Sequence, residues 1–86
     1  MANYVMYGFK RSSIHETAFL KKIPTSSSDD MKDILAEDIH QAKKFSDVPE
    51  PGKSGTPKQW LSYVNSEFLD LFGQDSYKFH LVKTLL

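Results

Sequence analysis

The first two apolar stretches of the chain show the spacing of β-strands. In Asn3–Lys10, apolar and aromatic side chains occupy both alternating faces, which predicts a strand buried on both sides. Residues 14–23 are ambiguous, because they could pair back on the first strand, whereas residues 13–16 also match a helix capping box. A strand is favoured, because the sheet would otherwise have only two strands and be marginally stable.

Residues 29–45 show the spacing of an amphipathic helix. Ser28 suits the N-cap, and acidic residues follow it in the first turn, where the helix dipole favours negative charge. At 100° per residue, the large apolar side chains fall in one arc of roughly 140°. The predicted buried face carries Met31, Ile34, Leu35, Ile39, Ala42 and Phe45.

Asp38 lies inside this apolar arc. An ionised carboxylate buried there without a partner would be costly. The favoured interpretation places Asp38 at the rim of the helix, or pairs it with a lysine or tyrosine of the sheet. The alternative is a carboxylate that is turned towards a binding partner.

A second helix is predicted just before the C-terminal part of the chain. Thr56 suits the N-cap, and Pro57 and Gln59 complete a helix start of the capping-box type. Gly73 is a suitable C-terminal stop. The apolar face fills about 120° of the helical wheel and consists of Trp60, Leu61, Val64, Phe68, Leu71 and Phe72.

Residues 76–86 alternate again and predict a last strand, with Tyr77, Phe79 and Leu81 on its buried side. The chain therefore reads as a single α+β domain over residues 1–86, in the order β-β-α-α-β. We expect a short antiparallel or mixed sheet with two helices packed on one face. The first and last strands are expected at the sheet centre, and flexible loops around residues 24–28 and 46–55.

Charge and composition exclude several classes of function. Eleven basic and eleven acidic residues cancel, which argues against tight non-specific binding to nucleic acid. Residues 29–50 are nevertheless acidic, with seven carboxylates against three lysines. There is no cysteine and no apolar run near the ~18 residues of a membrane helix. We expect a cytoplasmic protein without membrane contact.

The tripeptide formed by Gly52, Lys53 and Ser54 resembles the end of a phosphate-binding loop. The full motif needs a glycine five residues before Gly52, where this chain has Asp47, and a strand leading into the loop. Neither condition is met, so a nucleotide loop is not favoured. A weaker alternative is an anion site formed by Lys53, Ser54 and Lys58 near the start of the second helix.

No catalytic or metal-binding constellation emerges from the spacing. His15, His40 and His80 lie on three different predicted elements, without the pairing of a metal site. We therefore expect a non-enzymatic protein with no catalytic residue, no metal and no cofactor.

Three surfaces remain as candidates for binding. The leading hypothesis is a regulatory protein, an inhibitor or adaptor, that docks on a protein partner; its predicted contacts are Asp30, Asp33, Glu37, Asp38, Tyr63 and Leu69. The first alternative is a nucleic-acid-binding module that uses basic and aromatic residues of the N-terminal strands. Its predicted contacts are Lys10, Arg11, Lys21 and Lys22, with Tyr4, Tyr7 and Phe9 available to stack on bases. The second is an anion- or nucleotide-responsive accessory subunit. A homodimer that forms through the spare apolar surface of Tyr63, Leu69, Leu85 and Leu86 is a further alternative.

Overall fold

The sheet is built around β1 (Asn3–Lys10). The structure is a computed structural model that describes residues 3–46 and 55–84. β2 (Ser13–Leu20) and β5 (Tyr77–Thr84) both pair antiparallel with β1. Because both partners share the same β1 residues, they must lie on opposite sides of it. The ambiguous residues 14–23 thus contain a strand, and the N-terminal hairpin is confirmed.

Two short strands complete the antiparallel sheet. β3 (Leu35–Ala36) pairs with the end of β2, and β4 (Phe45–Ser46) pairs with the start of β1. In the described part of the chain, β5 pairs with β1 and with no other strand. The two terminal strands do come together, but β1 is central whereas β5 forms an edge.

The predicted helix over residues 29–45 is wrong. Its place is taken by a single helical turn, α1 (Met31–Ile34), then β3, a 3-10 turn (Ile39–Gln41) and β4. The described residues therefore contain one main helix rather than two packed on one face. The apolar positions were identified better than their conformation, because Ile34, Ala42 and Phe45 are buried.

Tertiary hydrogen bonds explain why this segment is not helical. The N–H groups of Lys21 and Lys22 donate to the carbonyl oxygen of Ile34, at 2.8 and 3.3 Å. The N–H of Lys43 donates to the carbonyl oxygen of Leu20 at 2.8 Å. These bonds fix the segment against the end of β2, and helix propensity is too weak to override such tertiary pairing.

Two aspartates add local bonds that begin separate short turns in place of one continuous helix. The Oδ1 atom of Asp30 accepts from the N–H of Lys32 at 3.0 Å, and this cap starts α1 later than the predicted Ser28. The Oδ1 atom of Asp38 accepts from the N–H of His40 at 2.9 Å and starts the 3-10 turn. Such side-chain bonds compete with the helical ladder. Asp38 is exposed, so its carboxylate needs no buried partner.

The second predicted helix is confirmed as α2 (Pro57–Phe72). Thr56 caps it, and Thr56 and Gln59 exchange the two hydrogen bonds of a capping box, at 2.9 and 3.3 Å. Gly73 ends the helix with φ +76°, a left-handed conformation that glycine adopts without strain.

One face of the sheet packs against α2 to form the core. The buried residues that contact one another there are Met6, Leu20, Ile34, Phe45, Val64, Phe68 and Phe79. The Phe68 and Phe79 rings meet edge to face with centroids 4.8 Å apart, in a geometry favourable for aromatic pairs. Gly8 in β1 lies directly opposite Phe79 and leaves room for its ring.

Asn65 of α2 contacts the outer edge of β5. Its Nδ2 donates to the carbonyl oxygen of Phe79 at 3.2 Å, and the N–H of Phe79 donates to its Oδ1 at 2.8 Å. The side-chain amide thus takes the place of a neighbouring strand at Phe79. Alternate residues direct their backbone groups to the same edge, so those of Leu81 and Lys83 also face outwards. Within the described chain, these two residues make no hydrogen bond on that edge.

Asp29 organises the turn that follows Pro24, where a flexible loop was predicted. Its Oδ2 accepts from the N–H groups of Thr25 and Ser26, at 2.8 and 3.3 Å. The backbone hydrogen bond from Thr25 is the main cause that lowers the pKa of this carboxyl below its usual value. A carboxyl group whose pKa is lowered on folding stabilises the folded state at pH values above the pKa that it has in the unfolded chain.

We expect this contribution to be lost as the pH falls through the lowered pKa of Asp29, below about pH 4. An NMR titration of the side-chain carboxyl should find its midpoint below that of an unstructured aspartate. In Asp29→Asn, the free energy of unfolding should vary less with pH in this acidic range. An Asp29 midpoint at or above the unstructured value would contradict the assignment.

Candidate functional site

The second face of the sheet, opposite α2, carries a row of apolar side chains. Successive strand residues point to opposite faces, so Tyr7 of β1, Phe19 of β2 and Val82 of β5 share this face. Tyr7 and Phe19 are directly opposite each other, with ring centroids 4.7 Å apart. Phe9 and His80 extend the row and stack at 5.6 Å.

These side chains line an open cavity, called here the second-face groove. Its volume is about 470 Å³, and its lining residues are Tyr7, Thr17, Ala18, Phe19, Glu37, Ile39 and Val82. Three strands and the segment after β3 thus contribute to one surface. Tyr7 and Val82 are 37% and 38% exposed, which is high for large apolar side chains on a sheet.

The irregular segment after β3 supplies one wall of the groove. A continuous helix over residues 29–45 would replace β3 and its pairing with β2. This pairing brings the chain to the point from which Glu37 and Ile39 reach the groove. The chain leaves β3 at Ala36 and makes its 3-10 turn from Ile39. The Nζ atom of Lys44 donates to the carbonyl oxygens of Ile39 and Ala42, each at 3.0 Å, and stabilises the end of this turn.

The predicted acidic contacts are spread along this segment. All four carboxylate residues are exposed, and Glu37 is the member that lines the second-face groove. Asp30 and Asp38 direct a carboxylate oxygen to their own turns. Asp33 lies in α1 and does not line the second-face groove.

Tyr63 and Leu69 do not form a common surface with the groove. Both lie on α2, where they are 48% and 38% exposed. Six positions along a helix correspond to about 120° around its axis, so the two side chains point in different directions. The Tyr63 ring contacts Trp60 edge to face at 5.9 Å, and with Gly55 and Gln59 these rings line a second cavity of about 310 Å³.

The hairpin separates the two basic pairs that were candidates for nucleic-acid contact. Lys10 and Arg11 lie at its turn, whereas Lys21 and Lys22 follow its other end. The two pairs are therefore separated by about five residues of β1, or ~17 Å. The Nζ atom of Lys10 pairs with Oε2 of Glu16 at 3.8 Å. The Nε atom of Arg11 is buried without a hydrogen-bond partner in the described chain, so this side chain is folded against the domain.

The anion-site prediction is only partly covered by the structure. Lys58 is exposed in the first turn of α2, whereas Lys53 and Ser54 lie outside the described residues. The same holds for Leu85, Leu86 and most of the predicted loop 46–55. Within residues 3–46 and 55–84, no three His, Asp or Glu side chains come together as metal ligands would.

The groove itself was missed in the sequence. The sequence shows apolar side chains on both faces of β1, with Tyr7 on one face and Met6 on the other, but it does not show that Tyr7 stays partly exposed. The strand register that places Tyr7 opposite Phe19 and near Val82 cannot be derived from the spacing of residues within each strand.

Comparisons of the chain with known protein families, with curated proteins and with solved structures found no match. Among the residues that the structure describes, no helix is both long and apolar enough to cross a membrane.

Proposed function

We propose that this chain is a small non-enzymatic protein-binding domain that docks on its partner through the second-face groove. The observation that supports this function is the open apolar groove formed by Tyr7, Phe19, Ile39 and Val82. Burial of exposed apolar surface is the main favourable term in most protein association. Clustered exposed apolar residues with a polar rim are typical of such interfaces.

The shape of the groove favours a protein segment over a small molecule. Its volume of about 470 Å³ is large enough for a small ligand. Small-molecule sites, however, enclose most of their ligand, whereas Tyr7 and Val82 stand more than a third exposed at this surface. A groove of this kind suits side chains that project from an extended segment of another protein. An inhibitor or adaptor would act by occupying the partner in this way.

The nucleic-acid alternative has less support from the geometry. Lys10 and Lys21 are separated along the hairpin, and Lys10 already faces Glu16. A phosphate backbone would be attracted by clustered rather than separated cations. The anion-responsive alternative depends on Lys53 and Ser54, which lie outside the described residues, whereas Lys58 is the one described member of that predicted site.

Val82→Lys is expected to weaken partner binding by at least tenfold. The substitution places a charge in the groove, where bound apolar side chains would have to desolvate it. The matched control is Leu69→Lys, because Leu69 has the same exposure of 38% but lies on α2. Tagged wild-type protein and both variants are incubated with lysate of the source cells, and the recovered proteins are quantified by mass spectrometry.

A partner that is recovered by the wild type and by Leu69→Lys, but lost with Val82→Lys, would support the proposal. Its affinity is then measured with purified components. Circular dichroism must show that both variants keep the wild-type fold. If the partner is instead lost with Leu69→Lys and kept with Val82→Lys, the docking surface lies on α2. The groove proposal would then be abandoned.

A further inference from the structure

The second-face groove has one charged wall. Of the described residues that line it, Glu37 alone carries a charge. Glu37 is exposed, and its carboxylate makes no ion pair or hydrogen bond with any other residue in the described part of the chain. Its neighbour Asp38 differs, because Oδ1 of Asp38 already accepts from the N–H of His40.

The remaining lining is suited to the aliphatic part of a basic side chain. Lysine and arginine lay their methylene groups along apolar surfaces while the charged end reaches a polar site. The paired rings of Tyr7 and Phe19 provide such a surface, and arginine also stacks favourably on aromatic faces. An acidic segment would meet the carboxylate of Glu37 with like charge, which disfavours it.

We infer that the occupant of the second-face groove is a short partner segment with apolar side chains and one lysine or arginine that pairs with Glu37. This inference rests on the proposed function and specifies the partner. The apolar side chains supply the affinity through Tyr7, Phe19 and Val82. The basic side chain fixes the position and direction of the segment, because charge complementarity contributes more to specificity than to affinity.

The test is a selection from a random heptapeptide library displayed on phage. The immobilised proteins are the wild type, Glu37→Lys, Val82→Lys and the control Asp33→Lys. Asp33→Lys makes the same change of charge at an exposed carboxylate that does not line the groove. We expect the wild type and Asp33→Lys to enrich apolar peptides with a lysine or arginine at a fixed position. Glu37→Lys should lose this preference or replace it with aspartate or glutamate.

The affinity of one enriched peptide is then measured for the wild type and for Glu37→Gln. Glu37→Gln should weaken binding roughly threefold to tenfold, as expected for a partly exposed ion pair. Binding to the wild type should weaken with added salt more steeply than binding to Glu37→Gln, because salt screens the pair.

The two hypotheses fail in different ways. Peptides that depend on Val82 but show no basic preference, or a preference that persists in Glu37→Lys, would overturn the inference and leave the groove as a docking site. If no enriched peptide loses binding in Val82→Lys, the groove is not a peptide site and both proposals fail.

Discussion

Gly8→Ala is expected to lower the free energy of unfolding by about 3 kcal/mol, as severe overpacking of a core does. A Cβ atom on Gly8 would lie 2.6 Å from Cδ1 of Phe79 and 2.8 Å from the carbonyl oxygen of Lys78. Gly8 pairs with Ala18 on one side and with Phe79 on the other, so the central strand cannot shift to relieve both contacts. Chemical denaturation followed by the fluorescence of Trp60 measures the change.

The predicted loss of stability is opposite to the usual effect of replacing glycine by alanine in a strand. In an ordinary strand, alanine is more stable than glycine by roughly 0.5–1 kcal/mol, because glycine loses more backbone entropy on folding. A Gly8→Ala protein as stable as the wild type would show that the Phe79 ring can move at little cost.

A double-mutant cycle identifies the responsible contact. Phe79→Leu alone should destabilise the core, because Phe79 is 1% exposed and packs on Phe68. Combined with Gly8→Ala, the loss should be smaller than the sum of the two single losses by at least about 1 kcal/mol, because the leucine leaves space for the new methyl group. The rescue should be partial, because the carbonyl oxygen of Lys78 remains close.

The elements that the sequence predicts correctly are those whose signals are local. Thr56 and Gln59 determine the start of α2 by bonding to each other, and Gly73 ends it by its own backbone freedom. The strand β1 follows from its run of aromatic and apolar residues, and β5 follows from alternation of apolar and polar residues. Alternation does not say which side of β1 each partner takes, so the edge position of β5 could not be read from it.

The helix predicted over residues 29–45 is wrong because the conformation of this segment is decided by residues outside it. Its apolar spacing fits a helix, but Lys21 and Lys43 direct backbone bonds between this segment and β2. Ala36 gives a sign of the error, since it is 6% exposed yet lies outside the predicted apolar arc. Ala36 is opposite Phe19 of β2, a pairing that a helix could not make.

The second-face groove depends on the same tertiary information. Its aromatic pair comes from the register of β1 with β2, and Val82 comes from the register of β1 with β5. Glu37 was chosen as a partner contact for its charge, and its position beside Ile39 depends on the chain leaving β3 as it does. Charge alone makes Glu37 a candidate contact, but it does not show that this residue lines the groove.

The edge position of β5 gives Asn65 a function that its exposure alone does not suggest. Asn65→Leu removes both hydrogen bonds to Phe79 and leaves a partly buried N–H and carbonyl without partners. Each such group costs about 1–3 kcal/mol when it is buried. Because these two groups are only partly buried, each should cost an amount near the lower end, and we expect the free energy of unfolding to fall by about 2–3 kcal/mol. The control Ser66→Leu introduces the same side chain at an exposed position of α2 and should change stability by less than about 0.5 kcal/mol.

Hydrogen exchange and self-association test the same contact independently. In the wild type, the amide of Phe79 should exchange slowly although it faces away from the sheet, whereas the amide of Leu81 on the same edge should exchange fast. Asn65→Leu should remove the protection of Phe79 and expose a continuous strand edge from Phe79 to Lys83, and such edges pair readily with other chains. Sedimentation velocity should then find association that increases with concentration. If Asn65→Leu associates no more than the wild type and Phe79 stays protected, the amide of Asn65 does not close this edge, and α2 shields β5 by packing alone.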